Sequence, residues 1–220
     1  MTTLKLSLVR FALLGLGAFG AVAAVSTDAS ACGGEWAPYV EVDHRPQGIS
    51  QAQKLLDRGN SVAAASTVLR VMPHVRTLSP KSSAIVARAQ RILAVAIARG
   101  DGALALGRDV PQSVQKSWTG KDATERQANL AWAVSTLRGV DATRKNDPAV
   151  QTDLAESMAK LDATKAEAKT LLEQLAEKDL LATAQGYAAL ARLRGEAGDE
   201  AGKKLASARC AAMASGTLAC

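Results

Sequence analysis

The chain has 220 residues, a formal net charge of +6, 48% hydrophobic residues and only 3% aromatic ones. Its core must therefore be aliphatic, which favours close-packed helices and excludes a sandwich or barrel built on β-branched and aromatic faces. Two histidines and three cysteines are too few for a multi-metal or haem protein, and Lys and Arg scattered singly among acids make no nucleic-acid-binding stripe.

Residues 1–31 read as a secretory signal: a cationic start (Lys5, Arg10), an apolar run from Phe11 to Val25 and a small-residue site, Ala29-Ser30-Ala31. The run is shorter than the ~20 residues a spanning helix needs. Cleavage after Ala31 is expected; it removes Lys5, Arg10 and Asp28 and takes the net charge from +6 to +5. Residues 32–48, with Pro38, Pro46 and the alternation Val40-Glu41-Val42-Asp43, read as an extended arm.

From residue 49 onward the apolar spacing is helical, and residues 49–220 read as one helical domain. Ser50 with Gln53 makes a capping box for a first helix, stopped at Gly59-Asn60. A second helix carries Val62, Ala65, Val68 and Leu69 to Pro73. Ser79-Pro80 opens a long third one that stops at Gly100-Asp101. Residues 102–121, with three glycines, Pro111 and Trp118, read as a short helix or two joined by an exposed loop. Asp122 with Glu125 starts another helix that ends at Gly139, Asp147-Pro148 starts the next, and Ala168–Leu175 supplies its partner. A final pair uses Tyr187, Leu190 and Ala191, then Leu205, Ala208 and Met213. Short connections pack such helices antiparallel, as a string of hairpins.

The Gly59-Asn60 turn recurs as Gly100-Asp101 and Gly198-Asp199, with Leu161-Asp162 at an equivalent place. With Ala52, Leu55, Ala64 and Val68 around the first turn and Tyr187, Leu190 and Ala191 before the last, this resembles the tetratricopeptide repeat (TPR), a ~34-residue helical hairpin. The resemblance implies an all-α, TPR-like solenoid whose first helices line a groove for a segment of another protein. Spacing between the turns is irregular, and Lys203 stands where that family has alanine.

Cys32-Gly33-Gly34 after the signal resembles the start of a bacterial lipoprotein, which implies acylation of Cys32 and a membrane tether as the alternative to simple cleavage. Export would let Cys210 and Cys220 form a disulfide. Cys32 is then lipidated or free, or competes for one of them, and sequence leaves these connectivities open.

No residue pattern points to a catalytic centre, a cofactor or a metal. Glu156-Ser157 resembles the Glu-Ser pair of lytic transglycosylases, but no Gly-Leu-Met-Gln follows, and its helical position predicts a solvent-facing Glu156. Met72-Pro73-His74 has no second ligand cluster. Trp118 either folds back onto the helices or, flanked by Lys116 and Lys121, anchors a partner. The expectation is a non-enzymatic interaction scaffold of the bacterial cell envelope, periplasmic, extracellular or outer-membrane associated, whose partner is another envelope protein or peptide. The competing readings are a peptidoglycan hydrolase and a structural lipoprotein held through Cys32.

Overall fold

The computed structural model describes residues 43–214 and Cys220. The signal at 1–31, Cys32 and most of the arm lie outside the described residues. Among those described, nine α-helices and no strand occur: α1 (Arg45–Asp57), α2 (Ser61–Val71), α3 (Ala84–Arg99), the single turn α4 (Gln112–Gln115), α5 (Ala123–Thr143), α6 (Pro148–Met158), α7 (Lys165–Glu177), α8 (Ala184–Glu196) and α9 (Glu200–Met213).

Helix starts follow local chemistry where a side chain can reach its own first turn. Asn60, Asp122 and Asp199 each accept a hydrogen bond from the backbone N–H three residues on, and Asp147 accepts from Ala149 and Val150. Such caps satisfy amide groups that a helix terminus leaves orphaned, worth ~1 kcal/mol each. At Asp122 a variant of the capping box forms, since Glu125 Oε2 reaches back past the cap and accepts from the Lys121 amide.

Two turns are built alike. Gly59 and Gly198 have φ of +80° and +77°. The next amide, of Asn60 or Asp199, donates 2.9 Å back to Leu55 or Arg194. Glycine is needed at both for its backbone angle and not for space, because an added Cβ would meet nothing within 4 Å. Gly100-Asp101 departs from this pattern. There the left-handed residues are Asp101 and Gly102, and no helix follows directly.

Four sequence expectations are corrected. The arm ends before residue 48, because Pro46 occupies the first turn of α1, where a missing N–H costs nothing; Ser50 lies inside that helix. Helix α3 starts at Ala84 under a Ser83 cap, while Ser79-Pro80 belongs to the preceding turn, which Gln90 Nε2 ties down by donating to the carbonyls of Val75 and Leu78. Gly139 does not stop α5. It sits within the helix where an added Cβ would lie 3.1 Å from the Pro80 ring, so its smallness serves packing. Leu161-Asp162 leads into a 3-10 turn at Asp162–Thr164 rather than a glycine-type turn.

Successive helices pack on one another: α1 on α2, α2 on α3, α3 on α5, and so on to α8 on α9. A second series links alternate members, α1 to α3, α3 to α6 and α6 to α8. Helix α3 is central. From Val86 to Ala98 only Arg88 and Arg91 escape burial, and Ile92, Leu93 and Ile97 are sealed completely. Each such side chain stabilises by roughly 1.5–3 kcal/mol.

Candidate functional site

The alternate series α1, α3, α6 and α8 borders a cleft of about 1030 Å³. Leu56 and Asp57 of α1 form one side. Arg91 and Arg99 of α3, with Asp153 and Glu156 of α6, form the floor. Ala188, Ala189 and Arg192 of α8 form the opposite wall, with Ser207 and Cys220 beside it. Helix α8 is held against α6 at two points. Arg192 Nη2 donates 2.6 Å to the Ala159 carbonyl, and Ala182 N donates to Thr152 Oγ1. Gly186 permits the approach, since a Cβ there would fall 2.7 Å from Thr152 Cγ2.

The floor is an ion-pair cluster. Arg99 grips Glu156 with two hydrogen bonds, Nε to Oε1 at 2.8 Å and Nη2 to Oε2 at 3.1 Å, and Arg91 Nε donates 2.6 Å to Asp153 Oδ2. These side chains are 5–19% exposed, which makes removal of either partner costly. Burial pushes the Asp153 carboxyl up to about 6, with Arg91 opposing and Glu156 adding to the rise. Burial works against the Arg99 cation, but Glu156, with Asp153 and Asp57 adding to its effect, outweighs it and raises the guanidinium above its ordinary range. The expectation of a solvent-facing Glu156 is thus wrong: the apolar neighbours Leu154 and Met158 left its side free in the sequence pattern, and α3 covers that side.

Trp118 is not an exposed anchor. It is 1% exposed, packed edge-on against Trp132 at 5.0 Å between ring centroids. The Arg76 guanidinium lies 4.4 Å from its ring centre and also donates to the Ser117 carbonyl. The segment folds inward because its base is pinched: Leu104 N donates to the Trp118 carbonyl, Asn129 Nδ2 to Gly102 and Arg126 Nε to Gly120. Lys116 and Lys121 stay on the surface, away from the cleft lining. The Cys210–Cys220 disulfide is present, with Cα atoms 5.7 Å apart, and it brings Cys220 to the cleft wall. No group of three or more potential metal ligands occurs among the described residues.

What the sequence reading missed is the cleft itself. Glu156 stands out only through the Glu156-Ser157 pair, and for Arg91, Arg99 and Asp153 the available signal was placement one or two turns from a charged residue on the same largely buried helix. No family model, curated protein or solved structure matches the chain.

Proposed function

We propose that the chain is a TPR-like solenoid that acts as a non-enzymatic scaffold of the bacterial cell envelope, holding a segment of another envelope protein in the cleft. The observation that carries this reading is that α1, α3, α6 and α8, the first helices of successive hairpins, all line the cleft, with Lys203, Ser207 and Met213 of α9 closing one side of it. Stacked hairpins present their first helices to a common groove, and such grooves hold extended or helical peptides. The likeness of the Gly59-Asn60 and Gly198-Asp199 turns supports a repeated unit. Placement in the envelope rests on the signal-like residues 1–31, and a tether through Cys32 remains the alternative attachment.

Photo-crosslinking in the exporting cell tests the reading. A benzoylphenylalanine at Ala188, on the cleft wall, should give a discrete higher-mass adduct, and one at Thr170, exposed on α7, should give none. Absence of an adduct at Ala188 overturns the reading.

The hydrolase alternative gains one specific feature, a buried carboxyl of raised pKa at a cleft floor. Both carboxylates, however, are engaged by arginines. Release of muropeptides from purified peptidoglycan that Asp153→Asn abolishes, while the fold persists, would favour the hydrolase over the scaffold.

A further inference from the structure

Beside the main cleft lies a smaller pocket of about 330 Å³, and the two share Gln53 and Arg91. The small pocket is lined by Arg88, Arg91 and Arg144, with Gln53, and no carboxylate. The main cleft is lined by Arg58, Arg91, Arg99, Lys160, Arg192 and Lys203 against Asp57, Asp153 and Glu156. Arg91 and Arg99 already take up the two buried carboxylates. The remaining cations outnumber Asp57 strongly, and Asp57 itself accepts from Gln53 Nε2.

Some of these cations have partners outside the lining: Arg144 reaches Asp147 at 3.8 Å, Lys160 Asp101, Arg192 Glu196 and Lys203 Glu200. Exposed pairs of this kind are worth 0–1 kcal/mol, so they do not withhold the cation from a ligand. Arg58 and Arg88 have no ion pair among the described residues, and both are exposed.

Arg88, Arg91 and Arg99 lie on one face of α3, because separations of 3 and 11 residues are close to whole turns. They span about 16 Å of helix axis, the length of roughly five residues of extended chain. The facing wall presents the small side chains Ala188 and Ala189, half-buried on α8, with Arg192 one turn further along the same helix. No aromatic side chain is among the lining residues, so there is no platform for stacking a base or a sugar ring.

Resting on the scaffold reading above, we infer that the cleft takes an extended acidic peptide, with one carboxylate seated between the exposed Arg88 and Arg144, beside the Arg91 whose Nε holds Asp153, and the rest of the segment running along α3 past Arg99. An alternating sequence fits best, since successive side chains of an extended chain point to opposite sides, acids toward α3 and small apolar groups toward α8.

The test is fluorescence anisotropy with the full exported chain and three labelled dodecapeptides of alternating Asp-Ala, Asn-Ala and Lys-Ala, with inorganic polyphosphate as competitor. The Asp-Ala peptide should bind and weaken at least tenfold between 50 and 300 mM NaCl. The exposed double variant Arg88→Glu/Arg144→Glu should weaken it at least tenfold with an unchanged helical signal, whereas Lys116→Glu/Lys121→Glu, away from the cleft, should leave it within twofold. Equal binding of the Asn-Ala peptide, or no binding of the Asp-Ala peptide, overturns the inference. Displacement by polyphosphate at matched charge concentration, with the same sensitivity to Arg88 and Arg144, replaces the peptide with a general polyanion and also overturns it. Either failure leaves the scaffold reading intact if the Ala188 adduct forms, and loss of that adduct removes the scaffold reading itself.

Discussion

Arg99 and Glu156 stand 57 positions apart in the chain and meet through two parallel hydrogen bonds at the floor of the cleft. The bidentate geometry fixes how α3 crosses α6, and both side chains are nearly sealed from water.

Glu156→Ala leaves the Arg99 guanidinium buried without its partner and should cost about 3–5 kcal/mol. For a chain of this length that lowers Tm by roughly 10 °C in a circular-dichroism melt. Replacing both, as Arg99→Met/Glu156→Leu, should recover most of the loss. A double variant as unstable as the single one would show that the pair itself, and not the stranded charge, sets the cost.

Asp153 supplies a pH dependence whose sign runs against the usual carboxylate. Its pKa is about 6 folded against an ordinary 3.8, so the folded chain binds the proton more tightly and ionisation opposes folding. Stability from this group is fully present below 3.8, is lost as pH rises toward 6 and stays lost above it, on the order of 2–3 kcal/mol. Melts at half-unit steps from pH 4 to 7 should show that decline flattened in Asp153→Asn. An equal slope in the variant assigns the dependence to another group.

Trp118→Ala is a core deletion, because the indole is 1% exposed. It empties the space under Arg76 and beside Trp132, and large aromatic truncations cost about 3–5 kcal/mol. Arg76→Gln removes the cation over the rings together with its hydrogen bond to the Ser117 carbonyl and should cost about 1–2 kcal/mol. A Tm for Trp118→Ala within 2 °C of the parent would return the indole to the surface.

Gly59→Ala and Gly198→Ala test the paired turns. With open space around each Cβ and a left-handed backbone at both, the cost is conformational alone, about 1 kcal/mol each or about 3 °C in Tm. The effects should add in the double variant, because neither added Cβ meets any atom within 4 Å and the two substitutions share no partner. A loss at Gly59 several times that at Gly198 would mean the two turns are not equivalent.

What the amino-acid sequence alone determined is what a few neighbouring residues can settle. The all-helical class followed from an aliphatic, aromatic-poor composition, and the starts of α2, α5, α6 and α9 followed from Asn60, Asp122, Asp147 and Asp199. In each case a side chain reaches an amide at most three residues away, so the sequence window holds the whole interaction. The short loop between Cys210 and Cys220 made them the expected pair, but with Cys32 as a competitor the connectivity was fixed by the fold. The start of α1 is misread from sequence, because proline at a first turn and proline in an extended arm look alike there, and Pro46 reads as part of the arm. Tertiary structure alone decided the rest. Gly139 is a packing contact because Pro80 lies over it. Trp118 is core because Arg76 and Trp132 arrive from 42 and 14 positions away to cover it, and Glu156 is buried because α3 lies across α6. Burial and charge pairing are set by what arrives from elsewhere in the chain, and an amphipathic pattern reports only which side of a helix is apolar, not which polar side chain a neighbouring helix will cover.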